Sequence, residues 1–367
     1  MPIQNLFNFY NTLSSQYFWV GIIIILIIIL FYIAYRIFIG MIIEKGEINR
    51  SINKTLFQVV MPKYFIDQEN KSDKELISVF DDFLSIFSEI KRKPKKFGIV
   101  PFSISLEIAA TSNEINFYVT VPSAYETVIE KNIYGFYPSA QVYKIENYTI
   151  FHPNSVIAVE ELNFEKKDIL PIKTYKYFEA DPTAVITNAL SKLNEGEGAA
   201  IQIVFSTFKA SVRQRDAMHI AREMQKGKTL EEATSMRKSI KKEDDTNKEF
   251  VSTQQHQNII KSLEEKSSKA GFLTNIRLVT SSSSIERSQQ ILLELEGGFH
   301  QFSAGYLNNF IPLKVKSKEF LFDYTFRNFI AKKSIFLNTE EISSIFHFPL
   351  PSNKTPKIKW LSSARSP

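Results

Sequence analysis

The residues that could carry chemistry are few and poorly placed for it. Five histidines stand at positions 152, 219, 256, 300 and 347, and no two have the spacing that puts a pair of ligands on one metal. Cysteine is absent, so thiolate chemistry is excluded, and the absence agrees with a reducing compartment. The phosphate-cradling pattern of Gly, four residues, then Gly-Lys-Ser/Thr occurs nowhere; GEGAA at 196–200 reads as a helix-to-strand turn. LISVFDD, residues 76–82, ends in two acids as some metal-binding strands do. Its apolar residues Leu76, Phe80, Phe83, Phe87 and Ile90 nevertheless recur at helical spacing, which makes it an amphipathic helix. Glu160 and Glu161 are neighbours on a strand-like run and point to opposite faces, where solvation accounts for both. No serine sits in a nucleophile elbow. These patterns predict a chain that is not an enzyme and that holds no cofactor or metal.

What remains is charge. Lys91, Arg92, Lys93, Lys95 and Lys96 form the run KRKPKK. A solvated loop is its plainest reading. Contact with anionic lipid is the functional one, since the run is basic and close in sequence to a long apolar segment. Contact with DNA is a weaker third. The net charge of +6 suits a protein beside an anionic leaflet and does not by itself imply nucleic acid.

That apolar segment, residues 17–43, reads YFWVGIIIILIIILFYIAYRIFIGMII. A helix over Tyr17–Tyr35 rises about 28 Å, against a hydrocarbon core of roughly 30 Å. Ile22, Ile25 and Ile29 lie in an unbroken run of Ile and Leu. Trp19 and Tyr32 are placed as interfacial aromatics, and Arg36 reaches the far interface by snorkelling. A single transmembrane helix is predicted. The run is too long and too evenly apolar for a core helix, and it lacks the basic start of a signal peptide. Residues 1–16 carry no charge, whereas Arg36, Lys45, Arg50 and Lys54 come after the run's apolar centre. The positive-inside rule then places the short tail outside the inner membrane and the bulk of the chain in the cytoplasm.

Beyond the anchor, two series of elements repeat. Residues 55–61 read as a strand, and Ser72 with Glu75 opens a helix through a capping box. FSISLEIAA (102–110) and EINFYVTV (114–121) alternate as a hairpin, Ser123 and Glu126 cap a second helix, and a strand near Gln141–Ile145 closes the series. The second series runs through strand 155–164, a helix with Asp181 as N-cap, strand 199–206, strand 272–280, a helix capped by Ser283 and Glu286 and stopped at Gly297–Gly298, and a strand near 309–315. The expected fold class is α+β, with two tandem ferredoxin-like (βαββαβ) domains at 55–150 and 151–318. Each should have its own four-stranded antiparallel sheet, burying Ile104 and Phe117 in the first and Ile186 and Ile203 in the second. A charged helical insertion, 209–256, interrupts the second. With too little apolar residue to bury, it reads as a projecting arm, either merely solvated or used to dock a partner subunit. Residues 319–367 close the chain with two short helices, one boxed by Asn338 and Glu341, and a linker, KIKWLSSARSP.

Residues 114–142, 171–203 and 338–367, the last beginning NTEEISSIFHFP, resemble the N-terminal portion of membrane-anchored, conjugation-type ATPases of bacterial type IV secretion-like systems. In that family the short helix with a Thr-Glu-Glu start and a His-Phe-Pro end precedes a nucleotide-binding module. Here the sequence stops where that module would begin, so the resemblance does not carry ATPase activity over. It implies a non-catalytic region that anchors and assembles such an ATPase, with the membrane and a protein partner (an ATPase subunit or a second copy) as its contacts. A stand-alone cell-envelope scaffold is the rival, and a DNA-guiding accessory subunit, with nucleic acid bound weakly or indirectly, is a third.

Overall fold

The computed structural model describes residues 24–38, 53–63, 71–90, 102–207, 210–235 and 253–361. The chain divides into two units, Met1–Asn53 and Lys54–Pro367. In the first unit a helix, α1, covers residues 24–38 with every residue exposed. At ~1.5 Å per residue it rises about 22 Å, and no helix among the described residues is long and apolar enough to cross a membrane. The remainder of the expected span, including Trp19 and Ile22, lies outside the described residues.

The second unit is built on one sheet. Its first series is β1 (Lys54–Pro62), α2 (Asp73–Glu89), β2 (Ser103–Thr111), β3 (Ile115–Pro122), α3 (Glu126–Phe136) and β4 (Gln141–Ile145). The second is β5 (Val156–Phe164), α4 (Thr183–Leu190), β6 (Gly198–Ser206), three helices α5 (Ala210–Gln225), α6 (Leu230–Ser235) and α7 (Gln254–Ser268), then β7 (Gly271–Ser282), α8 (Ile285–Phe299) and β8 (Phe310–Leu313). The chain closes with α9 (Ser317–Thr325), β9 (Ile335–Asn338), α10 (Thr339–Ile345) and β10 (Trp360–Leu361). In the first series β1 lies between β4 and β3, with β2 beyond β3, all antiparallel. The second series has the same order, β8-β5-β7-β6.

The expectation of two separate sheets is corrected. β2 and β6 are the outer strands of their series, and they pair with each other over nine residues, from Ser103↔Ser206 to Thr111↔Gly198. Two bare strand edges of equal length would otherwise expose their backbone groups. Ile104, Phe117, Ile186 and Ile203 are buried as expected, but in one core that runs the length of the sheet. α2, α3, α4, α8 and α10 all contribute to that core.

Helix starts follow local chemistry, with small shifts. At α2 the Ser72–Glu75 box forms in both directions. At α3 it does not: Glu126 instead accepts from Thr55 Oγ1 at 2.6 Å and pairs with Lys144, and Ser123–Tyr125 tightens into a 3-10 turn. α8 is capped by Ser284 and not Ser283. It runs through Gly297 and Gly298 rather than stopping there, and Gly298 packs under Ile186, where an added Cβ would lie 3.3 Å from Ile186 Cγ1.

The opposite face of the sheet is not solvated either. β2 and β3 are buried on both sides along most of their length, because residues 317–333 and 148–151 lie over the polar face. Leu56, Ala109, Tyr118, Ala200 and Val279 pack there against Phe320 and Tyr324.

Candidate functional site

The sequence-predicted sites fare unequally. Ile25, Ile29, Tyr32 and Arg36 all lie on α1 and are exposed. Lys91, Arg92, Lys93, Lys95 and Lys96 lie outside the described residues. Among the described residues no group of three His, Asp or Glu side chains is placed to hold a metal. Glu161 corrects the expectation of a solvated acid: it is 1% exposed and pairs with Lys333 at 3.4 Å. Glu160 is half-buried, and burial with the nearby Glu296 charge pushes its carboxyl up to about 7.

The C-terminal stretch that carries the family resemblance sits in the middle of the core. The Asn338–Glu341 box forms, with Glu341 N donating to Asn338 Oδ1 at 2.8 Å and Asn338 N to Glu341 Oε2 at 2.9 Å. All seven residues of α10 are buried, so its charges must be met inside the protein. Glu341 meets Lys266 of α7 at 3.1 Å, both side chains fully buried. Lys266 also donates to the carbonyls of Asp168 and Leu170 and lies over the rings of Phe164 and Phe336. Burial pushes the Glu341 carboxyl up and the Lys266 ammonium down, each only partly offset by the other. Glu340 accepts from Thr174 and pairs with Lys176 and Lys269, and Lys269 also pairs with Asp81 on α2. Past α10, both ring nitrogens of His347 face acceptors: Ser343 O at 2.8 Å and Asp181 Oδ1 at 3.0 Å. Asp181, read as an N-cap, does accept from Thr183 N at 2.7 Å, and Asn353 reaches its other oxygen. Phe346 and Phe348 pack on Phe80, Phe117 and Tyr137. Ile358, expected in a linker, is 6% exposed, and its neighbours' backbone bonds to Ile115.

A second buried polar layer fastens the cover on the other face. Glu107 accepts from Arg327 at 2.7 and 3.2 Å, from Tyr148 at 2.6 Å and from Ser105 at 2.5 Å. Burial alone would raise its carboxyl, but Arg327 outweighs that and holds it below the usual range. Gln202 donates to Tyr324 O and accepts from Arg277, which donates onward to Asn328 O. Lys54, at the start of β1, donates to the carbonyls of Phe326 and Arg327. Burial and the Arg327 charge bring its ammonium down to about 7. Every one of these groups is spent on a structural partner.

The insertion is the part that faces outward. It is not the unpacked arm that its charge suggested. Ala217, Ile220, Ala221 and Met224 of α5, Ala233 of α6 and Leu263 of α7 form a small core with Ile169 and Leu170. The outer side carries Arg215, His219 and Arg222 of α5 and Lys226 just past its end; all four are exposed and succeed one another at steps of four, three and four residues, which aligns them on one face. That spacing was present in the sequence but hidden by the interleaved acids. Beside the line lies a cleft of about 620 Å³, with Ile169, Ile220 and Ala233 in its floor and Lys167, Arg213, Arg215 and His219 at its rim.

A family model described as a domain of unknown function, DUF8128, matches residues 43–361. No curated protein matches the chain.

Proposed function

We propose that this chain, which belongs to the DUF8128 family, is the non-catalytic region that anchors and assembles a type IV secretion or conjugation-like ATPase at the inner membrane. The observation that carries the reading is α1. Residues 24–38 are exposed throughout and uncharged up to Arg36, and so continuous an apolar surface calls for lipid or a partner helix around it. In the sequence the apolar run continues on both sides of it, over residues 17–43, and that run is long enough for a hydrocarbon core if it is helical. Arg36, followed in the sequence by Lys45 and Arg50, favours a cytoplasmic location for the second unit. Each four-strand series is read as a ferredoxin-like unit, supported by the shared orders β4-β1-β3-β2 and β8-β5-β7-β6. The two series then share one sheet and act as a single rigid platform. Nucleotide hydrolysis belongs to a partner or a further module.

Carbonate extraction of membranes holding the full chain tests the anchor, and a fused reporter after Pro367 tests the orientation. The chain should stay in the pellet, the reporter should work only as a cytoplasmic one, and a phosphate-loop ATPase should co-purify. Release of the chain by carbonate, or periplasmic reporter activity, overturns the reading.

A further inference from the structure

The geometry of α5 points to a docking site for an acidic, amphipathic segment of a partner protein. Arg215, His219 and Arg222 are exposed, and none makes an ion pair among the described residues; Arg222 rests on Met218 Sδ. Lys226 extends the line, though it shares Glu223 with Lys228. From Arg215 to Lys226 the line runs about 16 Å. The two acids of the adjoining cleft offer no counter-charge to it: Asp168 is paired with Arg213 at 3.5 Å, and Asp216 is also engaged.

The nature of the occupant comes from the combination. A line of three cations and one histidine at steps of four, three and four residues is matched by carboxylates at the same steps on a helix laid alongside. The cleft floor of Ile169, Ile220 and Ala233 has no use in binding a phosphodiester backbone, which needs cations alone. It does suit a leucine-sized anchor set between those carboxylates. The inference rests on the assembly reading only in taking the occupant for a protein.

The test uses the full chain in zwitterionic detergent and three labelled probes: a 16-residue helical peptide with Glu at steps of four, three and four and Leu on the adjoining face, polyglutamate of equal charge, and a 20-base-pair DNA duplex. The amphipathic peptide should bind about tenfold more tightly than polyglutamate, the worth of one buried leucine. Thr234→Trp, which fills the cleft, should remove that advantage and leave polyglutamate binding unchanged. Arg215→Gln with Arg222→Gln should weaken both peptides while the melting temperature stays put. Equal binding of the two peptides, no effect of Thr234→Trp on a folded chain, tighter binding of DNA than of either peptide, or no binding at all overturns the inference. A chain that binds the peptide but leaves membranes in carbonate keeps this inference and loses the assembly reading, and an anchored chain that ignores the peptide does the reverse.

Discussion

Lys266 and Glu341 stand 75 positions apart and meet with both side chains fully buried. Removing one partner strands the other charge in the core, which costs about 3–5 kcal/mol, whereas removing both can be close to neutral. Lys266→Met alone is therefore expected to lower urea-unfolding stability by that amount. Lys266→Met with Glu341→Gln should recover at least about 1 kcal/mol, since glutamine keeps an acceptor for Ile172 N or Asn338 N without the charge. Glu160 makes the pH-dependent prediction. Its folded pKa of about 7 lies above the ~4.3 of an unfolded glutamate. The native state therefore holds the extra proton between those values, and stability falls as pH rises through that window. Glu160→Gln should raise stability at pH 8 by about 1 kcal/mol, discounted because the group is half exposed, and by little at pH 5. An equal gain at both pH values would show that the carboxyl is unperturbed. The Asn338–Glu341 box was legible in the sequence because both members lie within one turn. Lys266 as the partner of Glu341, and Arg327 as the partner of Glu107, were not, since nothing local marks a contact across 75 or 220 residues.

At the scale of elements, strand and helix identities were readable wherever a period was strong: Phe102–Ile108, Ile115–Val121 and Leu76–Phe87 all fall where the alternation or helical spacing placed them. The sequence could not reveal that β2 would pair with β6, because an edge strand carries no label for its neighbour and the side chains on both read simply as half-buried. The polar face misled for the same reason. Glu107, Gln202, Asn275 and Arg277 look like solvent-facing residues until α9 and the loop after it close over them. The insertion was misjudged by composition, since four of its apolar residues, Ala217, Ile220, Ala221 and Met224, are gathered on one side of α5. Replacing residues 210–252 with a short linker should therefore destabilise the remainder. Ile169, Leu170 and Leu263 lose their cover, and each fully re-exposed side chain of this size costs roughly 1.5–3 kcal/mol. A calorimetric scan is the check, and an unchanged melting temperature would return the insertion to the status of a solvated arm.

For the second unit taken whole, the decisive feature is that its last stretch joins its two halves. Phe346 and Phe348 pack on Phe80, Phe117 and Tyr137 from the first series, while His347 between them meets Asp181 from the second. Lys269 completes the tie by holding Asp81 of α2 and Glu340 of α10 together. With the β2–β6 seam beneath and this wedge above, neither series has a core of its own to fall back on. Two independent domains would unfold in two steps; a shared sheet and a shared core predict one. Ending the chain after Phe336 should then abolish cooperative unfolding in both halves. It removes several phenylalanine and isoleucine side chains from the core, each loss costing about 2–5 kcal/mol, against a total stability of about 5–15 kcal/mol. The measurement is a denaturant titration of the full chain and the shortened chain, followed by far-ultraviolet circular dichroism and by a fluorophore attached at Ser112 in the first series or Ser303 in the second. Coincident transitions in the full chain and none in the shortened one are expected. If the fluorophore at Ser112 still reports a sharp transition without the C-terminal segment, the first series folds alone and the two halves are separate domains laid side by side.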